Sequence, residues 1–236
     1  MLAIYKREMR SYFTSVIGYV FLVLFLSVGG AIFCMTTLYA MSADVTGFYL
    51  YMMIFSGLIL PILTMKSFSE ERKIRTEALL LTAPVSLWSL VLGKFFAALT
   101  VFFGAMVLNS FYFVFLTPYA LVKLAILLGN LLAVLLVGTV FISIGLFVSS
   151  LTENQLAAAI GTIAIILFFL AIGLVNSVLP SGHFLRYVFG CISIFTRFQS
   201  YTNGYFDFAS LLYYVSVSAV FIYLTVRVYD RRRHHG

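Results

Sequence analysis

Charged residues are scarce in this chain of 236 residues. Lys, Arg, Asp and Glu together make up 10% of it, whereas hydrophobic residues make up 63% and the mean hydropathy is +1.09. An ordinary soluble domain carries about 25% charged residues, so this composition cannot cover a soluble surface. Membrane-spanning helices of about 20 residues nearly exhaust the chain. The composition therefore predicts an all-α integral membrane protein and excludes a separate soluble catalytic domain.

Residues that bind metals or carry covalent chemistry are also rare. The sequence contains 3 histidines and 2 cysteines, and Cys34 and Cys191 lack the spacing of metal ligands. The signatures of zinc peptidases, of hydrolases and of phosphate-binding loops are missing from the sequence. Glu70-Glu71-x-x-x-Arg75 matches the first motif of CAAX-type intramembrane proteases, but no histidine lies in a predicted span to complete that site. We therefore expect a non-catalytic chain without a cofactor.

Six apolar runs are long enough to cross a membrane. They cover residues 16–39, 48–65, 90–116, 124–148, 157–178 and 208–226. Over residues 1–15, apolar positions recur every three or four residues with Lys and Arg between them, which favours an amphipathic helix in the membrane interface over a hydrated tail. Residues 179–207 are less apolar. They predict short helices that dip into the outer leaflet rather than a seventh span.

The basic residues predict the orientation of these spans. With the N-terminus inside, about twelve of the 15 Lys and Arg residues fall on the cytoplasmic side, and Lys123, Arg186 and Arg197 remain outside. Lys94 lies close enough to the end of its span to snorkel toward the cytoplasm. Anionic lipid headgroups and the positive-inside rule thus explain the net charge of +7 without a nucleic-acid partner. Both termini are predicted to be cytoplasmic, in a single transmembrane domain covering residues 1–236.

One extended charged segment, residues 66–84, separates the second span from the third. On a helix it would present apolar contacts beside an i,i+4 pair of Glu71 and Arg75. A plain solvated loop is the alternative, but three consecutive leucines from Leu79 are too apolar for free water. The pattern favours a docking surface for a soluble partner. Its candidate contact residues are Phe68, Glu70, Glu71, Arg72, Ile74, Arg75, Thr76, Glu77, Leu79 and Leu80.

Two stretches of sequence carry a resemblance to a known family. Residues 69–94 contain the strings SEERK, TEALLLTAPVS and VLGK and resemble the inner loop of ABC-2 permeases, where a coupling helix contacts an ATPase. Residues 198–227 contain FQS, Gly204, Asp207, YY and LTVR, and they are similar to the gliding-motility-type branch of that superfamily. Family sequences often place Gly before the Thr-Glu pair, where this chain has Arg75.

This resemblance implies the permease subunit of a transporter, with export as the expected direction. It implies a homodimer of permease copies in a bacterial cytoplasmic membrane, paired with two ATPase subunits that bind ATP and magnesium. Dimer contacts in the family come largely from the first and fifth spans. The fifth span carries Ala157-x-x-x-Gly161, small residues that let helices approach closely, although packing within the chain is an equally good interpretation.

Several alternatives stay open. His183, Arg186, Arg197 and Asp207 form either an outer gate or accessory-protein contact, or ordinary contacts with lipid headgroups. The chain could also be a membrane anchor or mechanical transducer that links a cytoplasmic ATPase to an extracytoplasmic auxiliary protein without transport. Because the spans hold few ionisable residues, the sequence favours an amphipathic, lipid-linked or peptide-like cargo over a small ion.

Overall fold

The computed structural model describes residues 1–42, 44–74, 86–116, 124–178, 184–202 and 207–235. Within these ranges the chain forms helices joined by short turns, with no strand. The helices are α1 (Leu2–Thr14), α2 (Val16–Phe33, continued by a π-helical stretch over Cys34–Tyr39), α3 (Val45–Lys73), α4 (Leu87–Leu116), α5 (Leu124–Leu151), α6 (Gln155–Val178), α7 (Phe184–Ile192), α8 (Ile194–Thr202) and α9 (Phe208–His235).

Six of these helices have the length and hydropathy to cross a membrane: α2 with its π-helical extension, α3, α4, α5, α6 and α9. The predicted all-α membrane protein with six spans is confirmed. Helices α7 and α8 have 9 residues each, or about 14 Å of helix, which is too short for a hydrocarbon core of about 30 Å. The prediction of short helices in this segment is therefore confirmed, although residues 179–183 and 203–206 lie outside the described residues.

Two helices extend beyond their predicted spans. Helix α3 continues through Pro61 to Lys73, so residues 66–73 are its last two turns rather than the start of a separate helix. Helix α9 continues past Arg227 to His235. Charged side chains end the stretch that suits lipid, but Arg, Lys and Glu are good helix formers, so the backbone continues as helix in both places. The predicted helix at the N-terminus is found as α1; its location in the membrane interface stays a prediction.

Polar side chains cap the beginnings of several helices. The carboxylate of Asp44 accepts the backbone N–H three residues further on at 3.0 Å, and the hydroxyl of Ser86 does the same at 3.3 Å. The amide oxygen of Asn154 accepts the N–H two residues further on at 2.9 Å. The first turn of a helix leaves N–H groups without intrahelical partners, and these caps satisfy some of them. Local sequence therefore sets where α3, α4 and α6 begin.

Helices α3, α4 and α5 form the interior of the bundle. In their most apolar stretches 61%, 61% and 67% of residues are buried, against 28% for α2, 28% for α6 and 33% for α9. Glycines allow the interior helices to approach closely. A Cβ at Gly145 of α5 would lie 2.1 Å from the hydroxyl oxygen of Thr64 on α3, and one at Gly138 would lie 2.1 Å from the ring of Phe102 on α4. The outer helices leave more apolar surface exposed.

Candidate functional site

A buried cluster of charges joins three helices at one end of the bundle. Lys94 of α4 is only 2% exposed, and its ammonium lies 3.2 Å from Oε1 of Glu8 on α1 and 2.9 Å from Oε1 of Glu71 on α3. It also donates to the backbone carbonyl of Ser67 at 2.7 Å. Since an ammonium has three N–H donors, these contacts use all of them. Lys94 thus binds α1 and α3 to α4.

Arg7 completes this cluster and balances its charge. Its guanidinium donates to Oε1 of Glu8 from Nε at 3.3 Å and from Nη2 at 2.7 Å, and to Oε1 of Glu71 from Nη2 at 2.8 Å. Two cations therefore face two carboxylates. Pairing and hydrogen bonding of this kind offset the large cost of removing charges from water. We call Arg7, Glu8, Glu71 and Lys94 the Lys94 joint.

The prediction that Lys94 snorkels to the end of its span is wrong. Its side chain is enclosed, because α1 folds across the first turns of α4 and supplies Glu8. Glu8 itself is also buried, with 9% of its surface exposed. An ammonium that reaches two carboxylates and a carbonyl inside the protein has no need to extend toward water.

The opposite face of α3 is attached to α5 and to the turn after it. The hydroxyl of Ser149 accepts the backbone N–H groups of Phe68 and Ser69, each at 3.1 Å, and donates to a carbonyl of α3 at 3.0 Å. Arg72 pairs with Glu153 at 2.9 Å and donates to the carbonyl of Leu151 at 3.1 Å. The last turns of α3 are therefore held from two sides.

Phe68 occupies the centre of this end rather than its surface. Its side chain is fully buried, with the ammonium of Lys94 at 5.0 Å from the ring centroid and the ring of Tyr229 on α9 at 4.9 Å. Arg232 lies 5.4 Å from the ring of Tyr229 and donates to the carbonyl of Ser150 at 2.7 Å. The prediction that Phe68 offers an apolar contact to a partner is contradicted, because packing between α3, α4 and α9 leaves no part of it exposed.

The other predicted contact residues divide into two groups. Glu71 and Arg72 point into the inward contacts described above, whereas Glu70 forms a partly exposed pair with Lys66 at 3.1 Å. Ile74, which follows α3, is 60% exposed and is therefore available to a partner. The remaining predicted contacts lie outside the described residues: Arg75, Thr76, Glu77, Leu79 and Leu80.

At the other end of the bundle, Asp207 caps α9. Its carboxylate accepts the hydroxyl of Ser210 and the backbone N–H of Ala209, the latter at 3.0 Å. These hydrogen bonds, that of Ser210 foremost, hold the pKa of Asp207 below its ordinary value. The guanidinium of Arg197 lies 5.3 Å from the ring centroid of Tyr213. Asp207 and Arg197 therefore both take part in the packing of α8 and α9.

Arg186 and His183 are the other two residues predicted for the outer segment. Arg186 lies on α7 and is exposed, and His183 lies outside the described residues. A role of the four residues as an outer gate or accessory contact stays a prediction.

The small residues of α6 face different surroundings. Ala157 is exposed, whereas Gly161 is partly buried and a Cβ there would lie 3.1 Å from the side chain of Val148 on α5. Packing within the chain therefore accounts for Gly161, and Ala157 remains available to a neighbouring molecule.

Glu8, Ser149 and Tyr229 were not among the predicted site residues. Glu8 did leave a signal, because it stands three residues after Tyr5 and four before Tyr12, on the apolar stripe of α1. An acid in such a stripe needs a buried cation, and Lys94 is the one lysine within an apolar run. Ser149 and Tyr229 left no comparable signal, since serine and tyrosine are ordinary in membrane helices. Over the described ranges, no three His, Cys, Asp or Glu side chains form a metal-binding group.

Comparison with known proteins identifies one family. The family described as ABC-2 family transporter protein matches residues 2–233, which is nearly the entire chain. No curated protein matches the sequence.

Proposed function

The chain belongs to the ABC-2 family of transporter proteins, and from this premise we propose that it couples ATP hydrolysis by a separate ATPase to export of a substrate. Members of this family are in general non-catalytic membrane components that work with an ABC ATPase. In the proposal, ATP and magnesium bind the ATPase, and this chain supplies the path and the moving helices. The gliding-motility-type branch remains the narrower proposal, supported by the two sequence stretches described above.

The observation that carries this proposal is the attachment of the last turns of α3. Residues 66–84 are the proposed coupling segment, and its first turns are bound to α1 and α4 through the Lys94 joint. The same turns are bound to α5 through Ser149 and to α9 through Tyr229. Packed helices with buried ion pairs move together rather than deform. A displacement of the coupling segment by an ATPase would therefore reach four other helices directly.

Ile74 offers a sharp test of docking, because it is the exposed apolar residue in the described part of the coupling segment. Apolar anchors dominate interface energies, and the loss of one costs about 2–4 kcal/mol, or roughly 30- to 1,000-fold in affinity. With the candidate ATPase co-expressed, Ile74→Asp should lose the partner in a pull-down and lose stimulated ATP hydrolysis. Ile74→Leu, the matched control, should keep both. Full retention of partner and hydrolysis by Ile74→Asp would overturn the assignment of the coupling segment.

We also propose that both chain termini face the cytoplasm, together with the charged end of the bundle, which is the end that carries the Lys94 joint. The distribution of Lys and Arg supports this orientation. The test uses a chain with Cys34 and Cys191 replaced by Ser and a single cysteine at Ile74 or at Ser42, which lies at the far end of α2. An impermeant thiol reagent added outside intact cells should label the cysteine at position 42 and spare the one at position 74. The reverse labelling pattern would show the opposite orientation, in which the coupling segment could not contact a cytoplasmic ATPase.

A second copy of the chain is proposed to pack against α2 and α6. These helices flank α3 and are the least buried spans of the described bundle. Ala157 lies on the exposed part of α6. A cysteine at Ala157 should give cross-linked dimers in membranes with a short bifunctional reagent, whereas a cysteine at Phe103, an exposed residue of α4, should not. Equal cross-linking at both positions would contradict this arrangement.

A further inference from the structure

A cavity of about 520 Å³ lies beside the Lys94 joint, between α1, the beginning of α2 and the last turns of α3. This volume falls in the range of about 300–1,000 Å³ that small-molecule sites occupy. Its walls combine the charged side chains of the joint with Lys66 and Glu70, several serine hydroxyls, and the apolar surfaces of Tyr12, Ile17 and Leu63. It therefore offers both polar and apolar contacts to one occupant.

Two polar atoms of the cavity wall make no hydrogen bond within the described residues. Ser67 is 7% exposed and its hydroxyl makes no hydrogen bond. Glu8, 9% exposed, accepts all its hydrogen bonds at Oε1, so among the described residues its Oε2 has none. Leaving the buried hydroxyl of Ser67 without a partner costs free energy. An occupant that bonds this hydroxyl would remove the cost, and a donor on the same occupant would have an open acceptor in Oε2 of Glu8.

The charges around the cavity indicate what such an occupant carries. Lys94 has used its three donors within the joint, but Lys66 has a single ion-pair partner, Glu70, and keeps further N–H donors. Arg7 is half exposed and makes its hydrogen bonds through Nε and Nη2, which leaves Nη1 for another acceptor. Donors for an anionic group thus stand beside a carboxylate oxygen that has no donor among the described residues.

We propose that this cavity binds a phosphate ester bearing a primary amine, in the form of an aminophospholipid headgroup. The phosphate accepts from Arg7 and Lys66, and the ammonium donates to Oε2 of Glu8. Three cations and three carboxylates line the cavity, so its formal charge is zero and a zwitterion fits better than a net anion. The end of a spanning helix beside an amphipathic helix is also where headgroups lie. Tyr12, Ile17 and Leu63 supply contacts for the apolar part of the lipid.

The lipid panel uses the unmodified full chain purified in an uncharged detergent. Binding of phosphatidylethanolamine, phosphatidylcholine and phosphatidylglycerol with identical acyl chains would be titrated by native mass spectrometry. Phosphatidylethanolamine should bind at least about 10-fold more tightly than the other two, because a trimethylammonium group has no N–H to donate and glycerol carries no cation. Equal binding of the three lipids would overturn the proposal.

Soluble competitors distinguish a lipid from a free phosphate ester. Glycerophosphoethanolamine shares the headgroup but lacks acyl chains, and inorganic phosphate lacks the amine as well. Each should need at least about a 10-fold higher concentration than added phosphatidylethanolamine to displace the bound lipid, because both lack the apolar contacts. If glycerophosphoethanolamine competes as strongly as the lipid, the occupant of the cavity is a soluble phosphate ester and not a lipid.

A matched pair of variants links binding to the cavity. Lys66→Gln should weaken phosphatidylethanolamine binding about 5- to 10-fold by removing a charge-assisted donor. Lys6→Gln removes the same charge from the exposed surface of α1, away from the cavity, and should leave binding unchanged. If the two substitutions weaken phosphatidylethanolamine binding equally, the lipid is held by general attraction to a basic protein. That result would contradict a specific site in the cavity.

Discussion

The two ends of the bundle are held together by different chemistry. At the charged end, helices far apart in sequence are joined by buried ion pairs, with Lys94 at the centre. At the other end, tyrosine hydroxyls donate to backbone carbonyls: Tyr214 to Ile194 at 2.9 Å and Tyr201 to Asp207 at 2.7 Å. An aromatic cluster of α2, α3 and α4 fills the space beside them, and no charged side chain of the described residues is buried at this end.

The two ends therefore respond differently to the loss of a contact. A buried ion pair is costly to break, because the remaining charge stays in an apolar environment. A hydrogen bond between a hydroxyl and a carbonyl contributes much less. The charged end is therefore suited to moving as a unit when a partner displaces it, whereas the contacts of the other end can be exchanged at small cost. Substitutions at the charged end should therefore destabilise the protein more than substitutions at the other end.

The largest effect is expected for Lys94→Met. Glu8 and Glu71 would lose their shared buried cation, so the free energy of unfolding in mixed micelles should fall by ~3–5 kcal/mol. The control is Lys66→Met, which removes a partly exposed pair and should cost at most ~1 kcal/mol. The triple variant Lys94→Met, Glu8→Gln, Glu71→Gln should recover stability, since it removes the negative charge that Arg7 alone does not balance. Equal losses of unfolding free energy for Lys94→Met and Lys66→Met would show that the buried ion pairs of the Lys94 joint stabilise the protein no more than a partly exposed pair does.

A smaller effect is expected for Ser149→Ala, which detaches α3 from α5 at the charged end. The substitution removes one donor and one acceptor shared by three backbone groups of α3, so stability should fall by ~1–2 kcal/mol. Ser150→Ala is the matched control, because the hydroxyl of Ser150 donates within its own helix. Denaturant titration of both variants provides the comparison. A loss for Ser150→Ala as large as for Ser149→Ala would argue against the attachment.

At the other end, Tyr214→Phe should cost ~1 kcal/mol. Tyr214 is fully buried, so removing its hydroxyl leaves the carbonyl of Ile194 without that donor and without water. Tyr213→Phe removes a similar bond to Ile192 from a partly buried tyrosine whose hydrogen bond is exposed, so water can replace it and the loss should be smaller. Thermal unfolding of the two variants in the same detergent ranks them. A larger loss for Tyr213→Phe would contradict the burial of Tyr214.

The smallest effect is expected for the carboxylate of Asp207 and depends on pH. Its pKa is lowered in the folded protein by the hydrogen bond from Ser210, so its contribution to stability is present above the ordinary carboxyl pKa and disappears as pH falls through the lowered value. Asp207→Asn should therefore lower the melting temperature slightly at pH 7, and this difference should shrink as the pH falls below the ordinary carboxyl pKa and through the lowered one. A difference that grows toward low pH would reverse the sign and refute the assignment.

Much of this architecture was accessible from local sequence. The apolar run over residues 16–39 predicts a span that the structure reproduces with the same limits, because the number of apolar residues sets what can cross a bilayer. Asp44 and Asp207 mark helix beginnings, since a cap acts within three residues. Phe68 was misplaced for the opposite reason. Its burial depends on Tyr229, which lies 161 positions away in the chain, and periodicity within one segment carries no information about such a neighbour.

The class of this protein, its six spans and its family follow from the amino-acid sequence alone, because each depends on composition, length or short strings of residues. The enclosure of Lys94, its pairing with Glu8 and the position of both beside the last turns of α3 depend on how the helices pack. The physical reason is that the sign and spacing of charges in sequence do not state which helices meet. The energy of an ion pair depends on distance and burial, and packing of three helices sets both.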